Sequence, residues 1–142
     1  MADDNISDFT RSMGIATSGL RAQAGRMRVI SENIANADST APIAGGDPYQ
    51  RKVPTFTSQL DRALDAQVVS LGRVARDTSA FRTKYEPNNP AADASGNVKY
   101  PNVNSLVEMT DLREAQRSYE ANVNVIGATR RMIQRTLDIL RG

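Results

Sequence analysis

Apolar residues recur every seven positions in the first part of the chain. One line consists of Ile6, Met13, Leu20, Met27 and Ile34, and a companion line three residues later consists of Phe9, Ala16, Gln23, Ile30 and Ala37. Only Gln23 interrupts the apolar pattern. A seven-residue repeat of this length is typical of a coiled-coil seam. The pattern therefore predicts a long helix over residues 6–34, which packs along these lines against another helix.

A second seven-residue repeat occupies the end of the chain. Its main line consists of Leu112, Tyr119, Ile126, Ile133 and Leu140, and it is flanked by Met109, Val123 and Leu137. Ser105 and Glu108 have the spacing of a capping box, which predicts that this helix begins near Ser105. The companion positions hold Asn122, Thr129 and Thr136. Polar residues at such positions usually set the register of a coiled coil at a cost in stability.

The region between the two repeats has a different character, because all six prolines lie between Pro42 and Pro101. Proline is strongly unfavourable inside a helix. Short extended runs predict strands over residues 49–56, 67–76, 81–85 and 98–100. Leu60 and Leu64 lie one helical turn apart, which predicts a short helix over residues 58–66. Polar and glycine-containing clusters predict turns at residues 44–47, 88–90 and 95–97.

These patterns together predict a mainly α fold made of three segments. Residues 1–40 form the N-terminal helix and the turn after it, residues 41–104 form a small β-rich or irregular insert, and residues 105–142 form the C-terminal helix. We expect the two helices to pair antiparallel as a coiled-coil-like stalk, because the insert offers neither of them a comparable apolar partner.

The composition excludes most familiar catalytic chemistry. The chain contains no cysteine and no histidine, so thiol nucleophiles, histidine-based triads and Cys/His zinc sites are ruled out. The acidic residues Asp3, Asp4 and Asp8 fit the dipole of a helix start rather than a metal cluster. Residues 93–104 fail the pattern of a calcium loop at the glycine and final glutamate positions. We expect no catalytic residue, no metal and no cofactor.

Charge leaves one alternative function open. The net charge is only +2, but the C-terminal repeat ends in a basic stretch that contains Arg130, Arg131, Arg135 and Arg141. Such a helix could contact phosphates, so a nucleic-acid-binding protein is the alternative. Acidic residues fill the first half of the same helix, a distribution that suits the helix dipole better than DNA binding. No run of 18 apolar residues occurs, and the start of the chain lacks the features of a secretory signal.

Several segments carry a resemblance to a known family. The first helix ends in Asn33-Ile-Ala-Asn36-Ala37, which resembles the Asn-x-x-Asn-Ala signature of the flagellar rod and hook family. Four further segments, in the same order, are similar to the proximal-rod members of that family: Tyr49-Gln-Arg-Lys52, Tyr85-Glu-Pro-Asn-Asn-Pro90, Tyr100-Pro-Asn-Val-Asn104 and Ser118-Tyr-Glu-Ala-Asn122. Asn89 departs from the pattern, because this family is expected to have histidine there. The resemblance is weakest over residues 54–83.

The resemblance implies a structural, non-enzymatic subunit of the flagellar basal-body rod, which spans the periplasm and transmits torque. It implies assembly with copies of itself, with other rod proteins and with the adaptor that joins the rod to the membrane ring. It also implies export through the flagellar export apparatus without a cleaved signal peptide and without insertion into the membrane. Phe9 and Met13 are similar to the aromatic-x-x-x-hydrophobic export signal of such subunits. The expected assembly interface comprises Ile6, Phe9, Met13, Leu20, Met27, Ile30, Asn33, Ile34, Asn36, Leu112, Tyr119, Val123, Ile126, Ile133, Leu137 and Leu140.

Overall fold

The computed structural model describes the backbone of residues 2–141 and the side chains of residues 7–139 and 141. Along the described chain, two long helices, α1 (Ala2–Ala35) and α2 (Ser105–Arg141), precede and follow a central region of six short strands. The strands are β1 (Lys52–Val53), β2 (Phe56–Asp61), β3 (Ala66–Leu71), β4 (Ala75–Arg76), β5 (Arg82–Tyr85) and β6 (Asn97–Tyr100). The prediction of two terminal helices around a small β region is confirmed.

The described residues form two compact units. Residues 2–26, 56–72 and 114–141 make up unit 1, and residues 27–55 and 73–113 make up unit 2. Each unit thus contains part of each long helix together with part of the central region. Neither helix, over its described residues, is apolar enough along a sufficient length to cross a membrane.

The buried positions of α1 are mostly small. Ala16, Ala22, Val29 and Ile30 are buried, whereas the large residues of the main seven-residue line, from Met13 to Ile34, are only half-buried. The helix ends after Ala35. The backbone and side-chain amides of Asn36 both donate to the Glu32 carbonyl, at 3.1 and 2.8 Å, which satisfies a carbonyl at the helix end.

Helix α2 begins at Ser105, as predicted, but the predicted capping box is wrong. The Asn104 side-chain oxygen accepts the backbone N–H groups of Leu106 and Val107, at 3.1 and 3.4 Å, and therefore caps the helix. Glu108 does not reach back to Ser105, because its carboxylate is hydrogen-bonded inside unit 2.

The most buried line of α2 is the companion line rather than the apolar one. Ala115 and Thr129 are almost fully buried, and the line that they define also contains Glu108, Asn122 and Thr136 at intervals of seven. The main apolar line, Leu112, Tyr119, Ile126 and Ile133, is half-buried, while Met109, Val123 and Leu137 are exposed. Small and polar side chains occupy the closest contact because they let a neighbouring backbone approach.

The six strands form three separate antiparallel pairs, β1 with β4, β2 with β3, and β5 with β6. In unit 1, β2 and β3 make a hairpin whose register runs from Phe56 opposite Leu71 to Asp61 opposite Ala66. The Asp61 carboxylate accepts the N–H groups of Ala63 and Leu64 in the connecting turn. The predicted short helix over residues 58–66 is therefore wrong, because pairing with β3 outweighs the single helical spacing of Leu60 and Leu64.

The other predicted strands are found in shorter form. The run over residues 49–56 is interrupted at Pro54, which cannot donate to a ladder, and the run over residues 67–76 divides into β3 and β4. Strands β5 and β6 match the predicted strands over residues 81–85 and 98–100 to within a residue. Gly45 and Gly96 lie in the predicted turns with φ of 68° and 78°, a conformation that favours glycine.

Candidate assembly surfaces and the signature network

Asn33, the first signature asparagine, lies at the centre of a buried polar network in unit 2. It is fully buried, and its amide nitrogen donates to the Lys52 carbonyl at 2.8 Å and to the Glu108 carboxylate at 3.1 Å. Its amide oxygen accepts the Tyr49 hydroxyl at 2.8 Å and the Lys52 backbone N–H at 2.9 Å. All the hydrogen-bonding capacity of the Asn33 amide is thus used, which explains why no shorter or apolar residue would serve here.

Glu108 is the buried anion of this network. Its side chain is 1% exposed, and its second oxygen accepts the Arg51 guanidinium at 2.6 Å. Burial by itself lowers the pKa of Arg51, but the hydrogen bond and charge of Glu108, helped by Asp77, raise that pKa above its usual value. The charge of Glu108 is therefore balanced inside the unit, as a buried carboxylate requires.

Tyr49 joins the network through its hydroxyl, which donates to the side-chain oxygen of Asn33. Burial raises the pKa of its phenol to about 12, and the nearby negative charges of Glu32 and Glu108 act in the same direction. Lys52 makes an ion pair with Glu32. The hydroxyl of Tyr49 therefore stays protonated at physiological pH and acts as a hydrogen-bond donor to Asn33.

The segment that leads into α2 is joined to the same network through Asn102. Its side-chain oxygen accepts the Arg51 backbone N–H at 2.8 Å, and its amide nitrogen donates to the carbonyls of Asp77 and Ser79 at 3.0 and 3.1 Å. Hydrogen bonds from the backbone and then the side chain of Ser79, followed by the hydrogen bond and charge of Arg51, lower the pKa of the Asp77 carboxyl and outweigh burial, which raises it. These bonds connect residues far apart in sequence. The signature asparagine and the segment that leads into α2 therefore belong to the same hydrogen-bonded network.

The polar atoms of the network are paired with one another, and no group of three acidic side chains that could hold a metal occurs among the described residues. Asn89, the departure from the family pattern, is a turn residue whose amide donates to Glu86 at 3.0 Å and whose oxygen accepts the Ala91 N–H. Asparagine satisfies this turn without the expected histidine.

The predicted assembly residues of α1 divide into two groups. Ile30 and Asn33 are buried inside unit 2, so they stabilise the subunit itself. Half-buried side chains form the second group: Phe9, Met13, Leu20, Met27, Ile34 and Asn36. The side chain of Ile6 lies outside the described residues.

The predicted assembly residues of α2 are more accessible. Val123 and Leu137 are exposed, Leu112, Tyr119, Ile126 and Ile133 are half-buried, and the side chain of Leu140 lies outside the described residues. Sequence reasoning missed a further exposed apolar set on this helix, which comprises Val125, Met132 and Ile139. Their regular spacing of seven could have revealed them.

Direct contacts between the helices in unit 1 use small and polar residues. A Cβ atom added to Gly19 would lie 2.9 Å from the Asn122 amide nitrogen, so the glycine permits a close approach. Arg26 lies 3.8 Å from the Glu114 carboxylate. Neither of these two contacts involves a large residue of the apolar lines, and Leu20 and Ile126 are only half-buried, so part of their surface stays accessible.

Two family models match the ends of the chain. Residues 13–41 match the flagella basal body rod protein family, and residues 94–139 match the C-terminal family of flagellar basal body rod FlgEFG proteins. These matches include the signature asparagines, the entry to α2 and most of α2 itself.

Curated relatives extend the similarity over most of the chain. The flagellar basal-body rod protein FlgC of Agrobacterium fabrum is 50% identical over 89% of this chain and 91% of its own length. The FlgC proteins of Bacillus subtilis and Salmonella typhimurium are 38% and 41% identical, over 90% and 88% of this chain and 95% and 92% of their own lengths. The chain therefore belongs to the FlgC family of flagellar basal-body rod proteins.

Proposed function

We propose that this chain is a subunit of the proximal flagellar rod and that it polymerises through its terminal helices to transmit torque from the motor to the hook. The members of its family are structural proteins of the flagellar rod. The relatives are rod proteins, which supports a structural rather than an enzymatic role. They offer no support for the nucleic-acid alternative.

One observation carries the assembly mechanism: the large apolar residues of both helices are not fully covered within the chain. On α1, Met13, Leu20 and Met27 are half-buried, and on α2, Val123 and Leu137 are 45% and 48% exposed. Burying apolar surface contributes about 25 cal/mol per Å². Neighbouring subunits that cover these side chains gain that free energy, so polymerisation is favoured.

We further propose that α1 and α2 pair antiparallel to form the stalk. In unit 1, Gly19 meets Asn122 and Arg26 meets Glu114, so residue numbers rise along α1 as they fall along α2. In unit 2, Asn33 meets Glu108. This pairing uses the small and polar line, and it leaves the large apolar lines for neighbouring subunits. The segments 1–40, 41–104 and 105–142 then act as first helix, insert and second helix.

The partners that we propose follow from this role. They are other copies of the chain, the other rod proteins, the adaptor between rod and membrane ring, and the flagellar export apparatus. The proposed location is the periplasm-spanning rod of the basal body, which the chain reaches through the flagellar export apparatus.

The assembly proposal is tested by placing a charge on the apolar line of α2. Ile126→Asp should prevent incorporation into basal bodies, because a carboxylate would be buried without a partner in the assembled rod. Gln116→Asp on the exposed side of the same helix is the matched control. Isolated basal bodies are examined for the chain by immunoblot, and cells are scored for motility. Normal incorporation and motility of the Ile126→Asp chain would refute helix-mediated assembly.

The proposed export signal, Phe9 and Met13, requires a separate test. Phe9→Ala should make the chain accumulate in the cytoplasm if the aromatic side chain is read by the export apparatus. A Phe9→Ala chain that is secreted at the normal rate but fails to polymerise would show that Phe9 serves only in packing.

A further inference from the structure

Helix α2 carries a second apolar line that differs from the predicted one. We call it the outer seam: Ser118, Ala121, Val125, Ala128, Met132 and Ile139, all in unit 1. These residues alternate at spacings of three and four except where Arg135 takes the place of an apolar residue, the arrangement of a helix-packing face. The large members are accessible, with Val125 46%, Met132 47% and Ile139 80% exposed.

The outer seam is distinct from the contact between α1 and α2. That contact involves Asn122, which lies on the same line of α2 as the buried Thr129. Val125 lies four residues before Thr129, and Met132 lies three residues after it. Since Gly19 of α1 lies against Asn122, on the same line as the buried Thr129, the outer seam occupies a neighbouring strip whose large side chains stay accessible.

A basic edge borders the outer seam. Arg117, Arg131 and Arg135 are exposed, and none of the three makes an ion pair among the described side chains. A partner should therefore combine exposed apolar side chains with negative charge. A second outer seam does not meet this requirement, because it carries the same basic edge.

Unit 1 presents a surface of this chemistry on its hairpin. Phe56 and Leu60 lie on one face of β2 and are 43% and 57% exposed, while Leu71, which pairs with Phe56 on the same face, packs against Gly25 of α1. The turn at the end of β2 holds Asp61 and the exposed Asp65, against a single Arg62. The hairpin thus offers an aromatic anchor, a leucine and a net negative tip.

We propose that the outer seam of α2 binds the β2 face of the hairpin of a second copy of this chain. Phe56 and Leu60 then fill the shallow sites over Ala121 and Ala128 between the larger side chains of the seam, and the acidic tip lies near the arginines. The two surfaces differ, so the contact is head-to-tail and repeats from copy to copy without closing. The inference rests on the proposed function, since a rod subunit requires such an open contact.

The test uses the absence of cysteine from the chain. Two singly substituted chains, Met132→Cys and Leu60→Cys, are co-expressed, and basal bodies are isolated and oxidised. A disulfide between these chains can form only between copies, so an adduct of twice the chain mass is expected. The matched controls are Gln134→Cys, on the other side of α2, and Gln59→Cys, on the other face of β2, and each should abolish the adduct.

A second pair, Val125→Cys with Phe56→Cys, guards against a variant that fails to assemble. Incorporation of either pair into basal bodies without an adduct, an adduct of equal yield in the controls, or an adduct with another protein would overturn the inference while leaving the rod function intact. Absence of the unsubstituted chain from basal bodies would instead refute the proposed function. In purified chains, Phe56→Ala should weaken copy-to-copy association by at least about thirtyfold, the loss expected for a hot-spot anchor.

Discussion

Asn33 and Glu108 show how single residues join the two helices to the insert within unit 2. Neither residue touches solvent, and each is hydrogen-bonded to segments far away in sequence. Removing one member of such a buried network leaves the remaining polar groups without partners, which costs more than the bond itself contributes. Stability at this site should therefore respond strongly to small changes.

Glu108→Ala should lower the free energy of unfolding by about 3 kcal/mol, because Arg51 and the Asn33 amide lose their buried acceptor. Glu114→Ala is the control on the same helix. Its carboxylate is 67% exposed and only loosely paired with Arg26, so its loss should cost less than about 1 kcal/mol. Urea denaturation followed by circular dichroism measures both values. Equal effects of the two substitutions would contradict the role assigned to Glu108.

The raised pKa of the Tyr49 phenol predicts that the stability of the folded chain falls at alkaline pH. Its pKa is raised to about 12 in the folded chain, whereas tyrosine in an unfolded chain titrates near pH 10. The folded chain binds this proton more tightly, so its contribution to stability is complete below about pH 10 and is lost as the pH rises through about 12. Tyr49→Phe should remove the most alkaline part of the tyrosinate absorbance titration. Identical alkaline limbs for the two chains would contradict this assignment.

At the scale of the elements, glycines distinguish the contact faces of the helices from their free faces. A Cβ atom at Gly14 would overlap the Leu64 side chain of the hairpin turn, and one at Gly25 would lie 2.9 Å from Leu71. At Gly127 of α2 the nearest neighbouring side-chain atom would be an Arg131 nitrogen at an ordinary 3.5 Å. A methyl group added at Gly14 or Gly25 would therefore force the Leu64 or Leu71 side chain to shift where the hairpin packs on α1, although glycine weakens the helix everywhere.

Alanine substitutions should have opposite effects on stability at a glycine that faces the hairpin and at a glycine on a free face of a helix. Gly127→Ala should raise the free energy of unfolding by about 0.5–1 kcal/mol through helix propensity alone. Gly14→Ala should instead lower it by about 1 kcal/mol or more, because overpacking against Leu64 exceeds that gain. Thermal denaturation provides the comparison, and the additional change Leu64→Ala should relieve the overlap. A stabilising Gly14→Ala would mean that the hairpin does not pack closely on α1.

At the scale of the whole molecule, the two units have different sources of stability. Unit 2 has a connected set of buried and part-buried hydrogen bonds, from Tyr49 through Asn33 to Asn102. Unit 1 relies on small-residue contacts and leaves Val125, Met132 and Ile139 exposed. Helical segments with few buried contacts open readily, so the helical parts of unit 1 should gain most from neighbouring subunits.

Limited trypsin digestion of the dilute chain should therefore cut first within residues 2–26 and 114–141. The bond between Arg51 and Lys52 should resist, because both residues are held by the network around Asn33. The same terminal sites should be protected in isolated basal bodies, where subunits cover them. A first cut at residues 51–52 would contradict this order of stability.

The amino-acid sequence was sufficient to predict the two long helices, the start of α2 at Ser105, the resemblance to the rod family and the absence of thiol or histidine chemistry. These properties depend on local sequence patterns and on composition, so they can be predicted without knowing which distant segments pack together. Tertiary structure alone decided that Glu108 joins Asn33 rather than capping α2, that residues 58–61 extend a hairpin, and that Ala115 and Thr129 are buried instead of the larger Leu112 and Ile126. Burial and hydrogen bonding depend on which distant segment approaches a given face, and a seven-residue repeat specifies a helix without specifying the side from which its neighbour comes.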